Sequence, residues 1–246
     1  MRPLTHTNSY KTMDTTDSMP RAGNTYGIRD AFTHWRVCEV LWLALATLSV
    51  LVVSVLLGDN LLGISSSVTG IICVVLTAKG KLAAYYFGVA NCILYAIVAY
   101  GQTLYGETLL NALYYLPLQF IGFHIWRTHI NAEQGTVQPL HMAWRARVYA
   151  LLALAAGTAL LGVGLAYFGD AIPYVDAYTT VASVFAMTLS ARRCPEQWYL
   201  WISINVCSIY MWAERFAANG ENVATLMMWV VFLVNSVFGL VKWTRK

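Results

Sequence analysis

The sequence predicts an all-α membrane protein of eight transmembrane helices, on the strength of charge depletion, run length and charge placement. Only 11% of the residues are charged and mean hydropathy is +0.55, whereas soluble domains run at roughly 25% charged. A spanning helix needs about 20 mostly apolar residues. Such stretches fall at 37–57, 61–78, 82–101, 106–127, 147–168, 173–191, 196–217 and 221–243. Backbone groups in hydrocarbon must be satisfied within the protein, so runs of this length and number read as helices and not as a barrel.

Taken in order, residues 1–36 form a polar tail rich in Thr, Ser, Asn and Asp, expected in the cytoplasm. The first apolar run starts near Val37 and is too long for the core of a cleavable signal. Span two carries Ser65, Ser66, Ser67 and Thr69, and span four contains Pro117, which can break a helix. Short links such as Gly58-Asp59-Asn60 and Gly169-Asp170 separate spans.

Fifteen of the 16 basic residues alternate onto one side. They are Arg2, Lys11, Arg21, Arg29, Arg36, Lys79, Lys81, Arg127, Arg145, Arg147, Arg192, Arg193, Lys242, Arg245 and Lys246; Arg215 alone falls opposite. Positive residues collect on the cytoplasmic side. The reading is therefore a multi-pass bacterial inner-membrane protein with both termini inside. The same spread over five cytoplasmic segments excludes a nucleic-acid patch.

The chain also matches itself. At an offset of 114, Tyr85 meets Tyr199, Asn91 meets Asn205 and Gly106-Glu107 meets Gly220-Glu221; at 117, Gly122 and Trp126 meet Gly239 and Trp243. Each repeat holds three helices, and one helix lies between them, so the two units run parallel. Secondary transporters of the SWEET arrangement are built in this three-plus-one-plus-three way, here with one extra N-terminal helix. The parts are the tail (1–36), the extra helix (37–57), the first repeat (58–127), a cytoplasmic loop with the connecting helix (128–172) and the second repeat (173–246).

Solute sites in such folds sit near the bilayer midplane between repeats. Asn91 and Asn205 lie about 14 Å into spans three and seven, and Gln119 and Asn235 about 12 Å from the inner ends of spans four and eight. Two roles fit these carboxamides: hydrogen-bond bridges between helices, or contacts to a solute. Trp198, Trp201 and Asn205 share one face of span seven. Asn111, Tyr115, Gln119, Gly122 and Trp126 share a stripe on span four. Trp126 and Trp243 end their spans and read as interface-belt residues; Trp198 fits either belt or site. No acidic or basic residue occupies the centre of a span, so the site suits an uncharged or mildly cationic ring compound, carried without proton or sodium coupling. A break at Pro117 offers the one alternative, backbone carbonyls for sodium.

Five cysteines, odd in number and mostly within apolar runs, lack metal or disulfide spacing and read as small hydrophobes. His124 near the inner edge reads as a structural donor. With no catalytic triad, metal cluster or P-loop, neither an enzyme nor a cofactor is expected.

The run Arg193-Cys194-Pro195-Glu196-Gln197-Trp198-Tyr199-Leu200-Trp201, followed by Asn205, resembles the Glu-x-Trp-x-x-Trp signature of the PnuC family of nicotinamide riboside transporters. Tyr114 through Trp126 and Leu233 through Trp243 resemble that family's other two recurrent stretches, so the resemblance covers about residues 60–246. It implies import of a vitamin B3 form, an NAD precursor, by facilitated diffusion with trapping by phosphorylation inside the cell, and a homotrimer. Its substrate-binding residues would be Asn91, Tyr115, Gln119, Trp198, Trp201, Asn205 and Asn235. The rival readings are a SWEET-like sugar or other nucleoside-type facilitator, a binding subunit needing an energising partner, and a membrane enzyme.

Overall fold

The structure is a computed structural model that describes residue 33 and residues 35–56, 61–101, 108–131, 134–169, 172–219 and 223–244. All but the end of the polar tail lies outside the described residues. Eight helical segments follow: α1 (Val37–Leu56), α2 (Leu61–Lys79) and α3 (Ala84–Gly101). Next comes α4, a π turn (Leu110–Tyr115) that runs into an α-helix (Leu116–Arg127). The remaining four are α5 (Trp144–Tyr167), α6 (Pro173–Ala191), α7 (Gln197–Asn219) and α8 (Val223–Thr244).

Among the described residues, three helical stretches are long and apolar enough to cross a membrane: Leu61–Lys79, Trp144–Tyr167 and Leu226–Thr244. Val37–Val53 of α1 and Ala84–Val98 of α3 are apolar but shorter, while α4 and α7 carry polar residues that the bundle buries, such as Asn111 and Gln119 on α4 and Asn205 and Ser208 on α7. Helices of both groups turn apolar faces outward. Leu45, Leu48 and Val52 on α1, Phe120 and Ile121 on α4, and Leu151, Leu152 and Leu160 on α5 are all exposed. An apolar surface this continuous faces lipid or another chain, not water.

Span four does not break at Pro117. Proline removes a donor from the helical ladder, and the chain absorbs the loss by widening to a π turn, in which the Leu116 amide bonds to Asn111 O.

Helices α2, α3, α4, α6, α7 and α8 touch in that order, and α8 returns to α2, so six helices form a ring. Outside it, α1 lies over α2 and α8, while α5 packs on α6. Small residues admit the α5–α6 approach: a Cβ on Gly157 would lie 3.1 Å from Val181.

The turns at one end of the ring carry a shared pattern. After α2, Gly80 has φ +70°, its amide bonds to Thr77 O, and the Lys81 amide bonds to Leu76 O. After α6, Arg193 has φ +58°, its amide bonds to Ser190 O, and the Cys194 amide bonds to Leu189 O. Both are Schellman closures, and Gly80 and Arg193 are 113 residues apart. This corrects the register of 114 read from the sequence: Tyr85 now corresponds to Trp198 and Cys92 to Asn205. The like-for-like matches Tyr85/Tyr199 and Asn91/Asn205 masked it, because an arginine stands where the first turn has its glycine. The left-handed conformation costs a non-glycine residue about 1–2 kcal/mol. Two bonds hold Arg193 there: its Nη1 donates to Gln138 O at 2.8 Å, and its carbonyl accepts the Leu140 amide at 3.0 Å.

That partner segment is a small feature invisible in the hydropathy. Residues Ile130–Asn131 (β1) and Thr136–Val137 (β2) form an antiparallel pair. From the end of β2 onward, the chain bonds to both turns, Val137 N to Gly80 O and Leu140 N to Arg193 O. One loop therefore ties together the two corresponding corners of the ring.

Candidate functional site

The ring is closed at this end by an aromatic chain. Tyr85 of α3 meets Trp126 of α4 edge-on with centroids 5.0 Å apart; Trp126 meets Trp243 of α8 at 5.5 Å, and Trp243 meets Trp198 of α7 at 5.9 Å. Val137 from the loop packs into the same cluster. Trp126 is 0% exposed and Trp243 2% exposed. The belt reading of these two is therefore overturned: they point inward, and depth along a helix does not fix which way a side chain faces. Each indole is tied across to a different helix, Trp126 Nε1 to Ser190 O at 2.9 Å and Trp243 Nε1 to Ala78 O at 3.0 Å. Trp198 is likewise buried, so it belongs to this closure and not to a belt. Glycines make room for it: a Cβ on Gly122 would lie 2.5 Å from Tyr85 Oη, and one on Gly239 2.7 Å from the Trp198 ring.

The four carboxamides lie near the middle of their helices, each with its NH₂ group anchored. Asn91 donates to Ser66 O of α2 at 2.8 Å. Gln119 donates to Cys92 Sγ at 3.7 Å, with Gly88 directly beneath its amide. Asn205 donates to Ser236 Oγ at 3.0 Å, and Asn235 to Val74 O at 2.9 Å. The bridging role open from sequence is thus real for all four donors. Two of these bridges are related: register 113 carries Cys92 onto Asn205 and the 117-residue register carries Gln119 onto Ser236, the amide having changed helix. No described residue donates to the four carbonyl oxygens, and Asn235 Oδ1 is fully buried without a partner. A buried acceptor left unmade costs about 1–3 kcal/mol. Among the described residues, this middle layer therefore offers carbonyl acceptors, and each NH₂, with one of its two N–H groups bonded to protein, keeps one donor.

Trp201, one turn above Trp198, is half-buried and packs against both the aromatic closure and the α6–α7 core around Ala182, Ala186 and Ile204. Tyr115 pairs with Tyr114 at 5.7 Å. Tyr114 Oη in turn donates to Val184 O at 2.8 Å and lies 2.6 Å from Thr188 Oγ1, so it belongs to the contact between α4 and α6.

The structure does not bring the seven expected residues into one shell of side chains. It divides them between an aromatic closure (Trp198) and a carboxamide layer (Asn91, Gln119, Asn205, Asn235), with Trp201 between and Tyr115 beside Tyr114 on α4. Sequence reasoning passed over Tyr85, Trp126 and Trp243 as members of the closure, and Ser66, Cys92 and Ser236 as amide partners. The 117-residue match of Gly122-to-Trp126 with Gly239-to-Trp243 was the available signal. His124 is exposed. Cys194 is buried, which pushes its thiol above the ordinary range and away from thiolate chemistry.

Comparisons with known proteins agree with this architecture. A family described as nicotinamide mononucleotide transporter matches residues 60–245. The chain is 39% identical over 222 residues to the nicotinamide riboside transporter PnuC of Neisseria mucosa, covering 88% of this chain and 84% of that one. It is 34% identical over 213 residues to PnuC of Haemophilus influenzae, covering 86% and 91%. A crystal structure of the vitamin B3 transporter PnuC superposes with a TM-score of 0.76 at 38% identity, covering 88% of this chain and 94% of that one.

Proposed function

The chain belongs to the nicotinamide mononucleotide transporter family, and from that premise we propose that it carries nicotinamide riboside across the bacterial inner membrane by facilitated diffusion. The observation that carries the substrate is the carboxamide layer, each NH₂ held to protein by one bond and each carbonyl oxygen left over. The riboside brings groups that fit such a layer: a carboxamide NH₂ and ribose hydroxyls to donate to its carbonyl oxygens, and a pyridinium cation for tryptophan faces such as Trp201. Tyr115, Trp198 and the amides Asn91, Gln119, Asn205 and Asn235 complete the set.

All eight helices cross the bilayer in this reading, with both termini and the basic turns in the cytoplasm. Two parallel three-helix repeats, α2–α4 and α6–α8, form the ring in the SWEET manner. The corresponding turn bonds and the reciprocal Trp126 and Trp243 bonds support that pairing. α5 connects the repeats and α1 is additional. The homotrimer that the resemblance implies belongs to the same proposal.

The family description names the mononucleotide, whereas the relatives' names specify the riboside. Physical chemistry favours the riboside here. A phosphate buried at mid-membrane needs a cation, and the described basic residues gather at the turn end, with Arg215 alone at the opposite end. Titration of purified protein with riboside, mononucleotide, ribose and glucose tests the substrate. Tight riboside binding with weak mononucleotide binding is expected; preference for glucose would make the chain a sugar facilitator. Proteoliposomes with imposed proton or sodium gradients at clamped potential test the mechanism. Uptake should stop at electrochemical equilibrium, and accumulation beyond it would overturn uncoupled transport.

A further inference from the structure

At the α2–α8 contact, the Glu39 carboxylate of α1 sits between two lysines, paired with Lys79 at the end of α2 and with Lys242 in the last turn of α8 at 2.7 Å. The turn register carries Lys79 onto Arg192, and the 117-residue register carries Lys242 onto Ile125. Those two residues line one groove, of about 360 Å³, at the same end of the α4–α6 contact. Its floor is apolar, with Leu189 and Met142 beside Ile125, and Ala146 of α5 forms its outer edge. Among the described residues, no helix occupies it as α1 occupies the other side. Arg192 is exposed, and its side chain makes no hydrogen bond or ion pair with a described residue. The nearby carboxylate, Glu196, is engaged by Arg147 at 2.7 Å and the Met142 amide at 3.1 Å and is not part of the lining; Arg193, at the rim, is held by Gln138 O.

We propose that this groove seats an anionic phospholipid, its phosphate on Arg192 in the place Glu39 takes across the ring and its acyl chain over Ile125 and Leu189. The proposal rests on the reading that the basic end lies at cytoplasmic headgroup depth, where basic pockets between helices bind anionic lipid. An open, apolar-floored groove suits a lipid better than a free anion, which has nothing to cover the floor.

The test is native mass spectrometry of the detergent-purified full chain supplied with phosphatidylglycerol or phosphatidylcholine. Phosphatidylglycerol should be retained over phosphatidylcholine. Arg192→Gln should lower its retention about fivefold, the worth of one basic contact near a membrane surface. Arg127→Gln, an equal change of charge at the same end outside the lining, should leave retention unchanged. Ala146→Leu should lower it with every charge intact. Equal retention of the two lipids, or equal losses from Arg192→Gln and Arg127→Gln, would overturn the proposal. So would displacement of phosphatidylglycerol by an equal concentration of glycerol phosphate. Riboside titration of the same samples separates the two proposals: failed riboside binding with selective lipid retention sinks the substrate reading alone, and the reverse sinks this one.

Discussion

The ring is sealed at two places, where α2 meets α8 and where α4 meets α6, and the two seams are built from different chemistry. Both share one device, an indole N–H on a backbone carbonyl: Trp243 on Ala78 and Trp126 on Ser190. Beyond that they diverge. The α2–α8 seam is overlaid by α1, whose buried Glu39 holds lysines from both helices and also accepts the Arg36 amide at 3.0 Å. The α4–α6 seam relies on Tyr114 bonding to Val184 and Thr188, and among the described residues no ion pair crosses it. Breaking a buried ion cluster strands a charge, whereas a hydroxyl bond exchanges with little loss. The seam expected to part at lower cost is therefore α4–α6.

Removing the strap is the strongest challenge to that contrast. Glu39→Ala leaves Lys79 buried without its carboxylate and should cost about 3–5 kcal/mol, read as a lowered unfolding temperature in detergent. A loss below about 1 kcal/mol would mean the triad is no strap, since that is the range of exposed pairs.

Next in size is a symmetry test. Gly122→Ala and Gly239→Ala each force a methyl into Tyr85 or Trp198, at a cost of about 1–3 kcal/mol from overpacking. Near-equal losses are expected, and a large inequality would break the correspondence of the two halves.

The third test concerns residues of α7 that belong to neither seam. Trp201→Ala and Asn205→Ala should each weaken riboside binding by about 1–3 kcal/mol, the worth of a buried hydrogen bond or its equivalent to ligand, with the fold retained by circular dichroism. Unchanged affinity in both variants would return these residues to packing alone.

The smallest effect on stability belongs to Tyr114→Phe, about 0.5–1.5 kcal/mol for one hydrogen bond. Its value lies in the rate: the variant should change initial uptake while leaving riboside affinity intact. A variant with wild-type uptake would show that parting of this seam does not set the uptake rate.

The sequence by itself determined the helices, their boundaries to within a few residues, and the end at which the basic residues gather. Each of these depends on local properties: the length of an apolar run, the residues that interrupt it, and the charges at its ends. It also placed Asn91, Gln119, Asn205 and Asn235 at mid-helix, because depth follows directly from rise per residue. What it left open was direction around each helix axis. Trp126 and Trp243 have the depth of belt residues, and only the neighbours supplied by α6 and α2 turn them into a closure. Glu39, at the start of an apolar run, gains its meaning from Lys79 and Lys242, which lie 40 and 203 residues away. The 113-residue register stayed hidden because Arg193 holds a glycine's conformation through contacts with Gln138 and Leu140 that no local pattern encodes. A hydropathy profile records position along the membrane normal. Which helix faces which is settled only when the ring closes and buried polar groups must find partners.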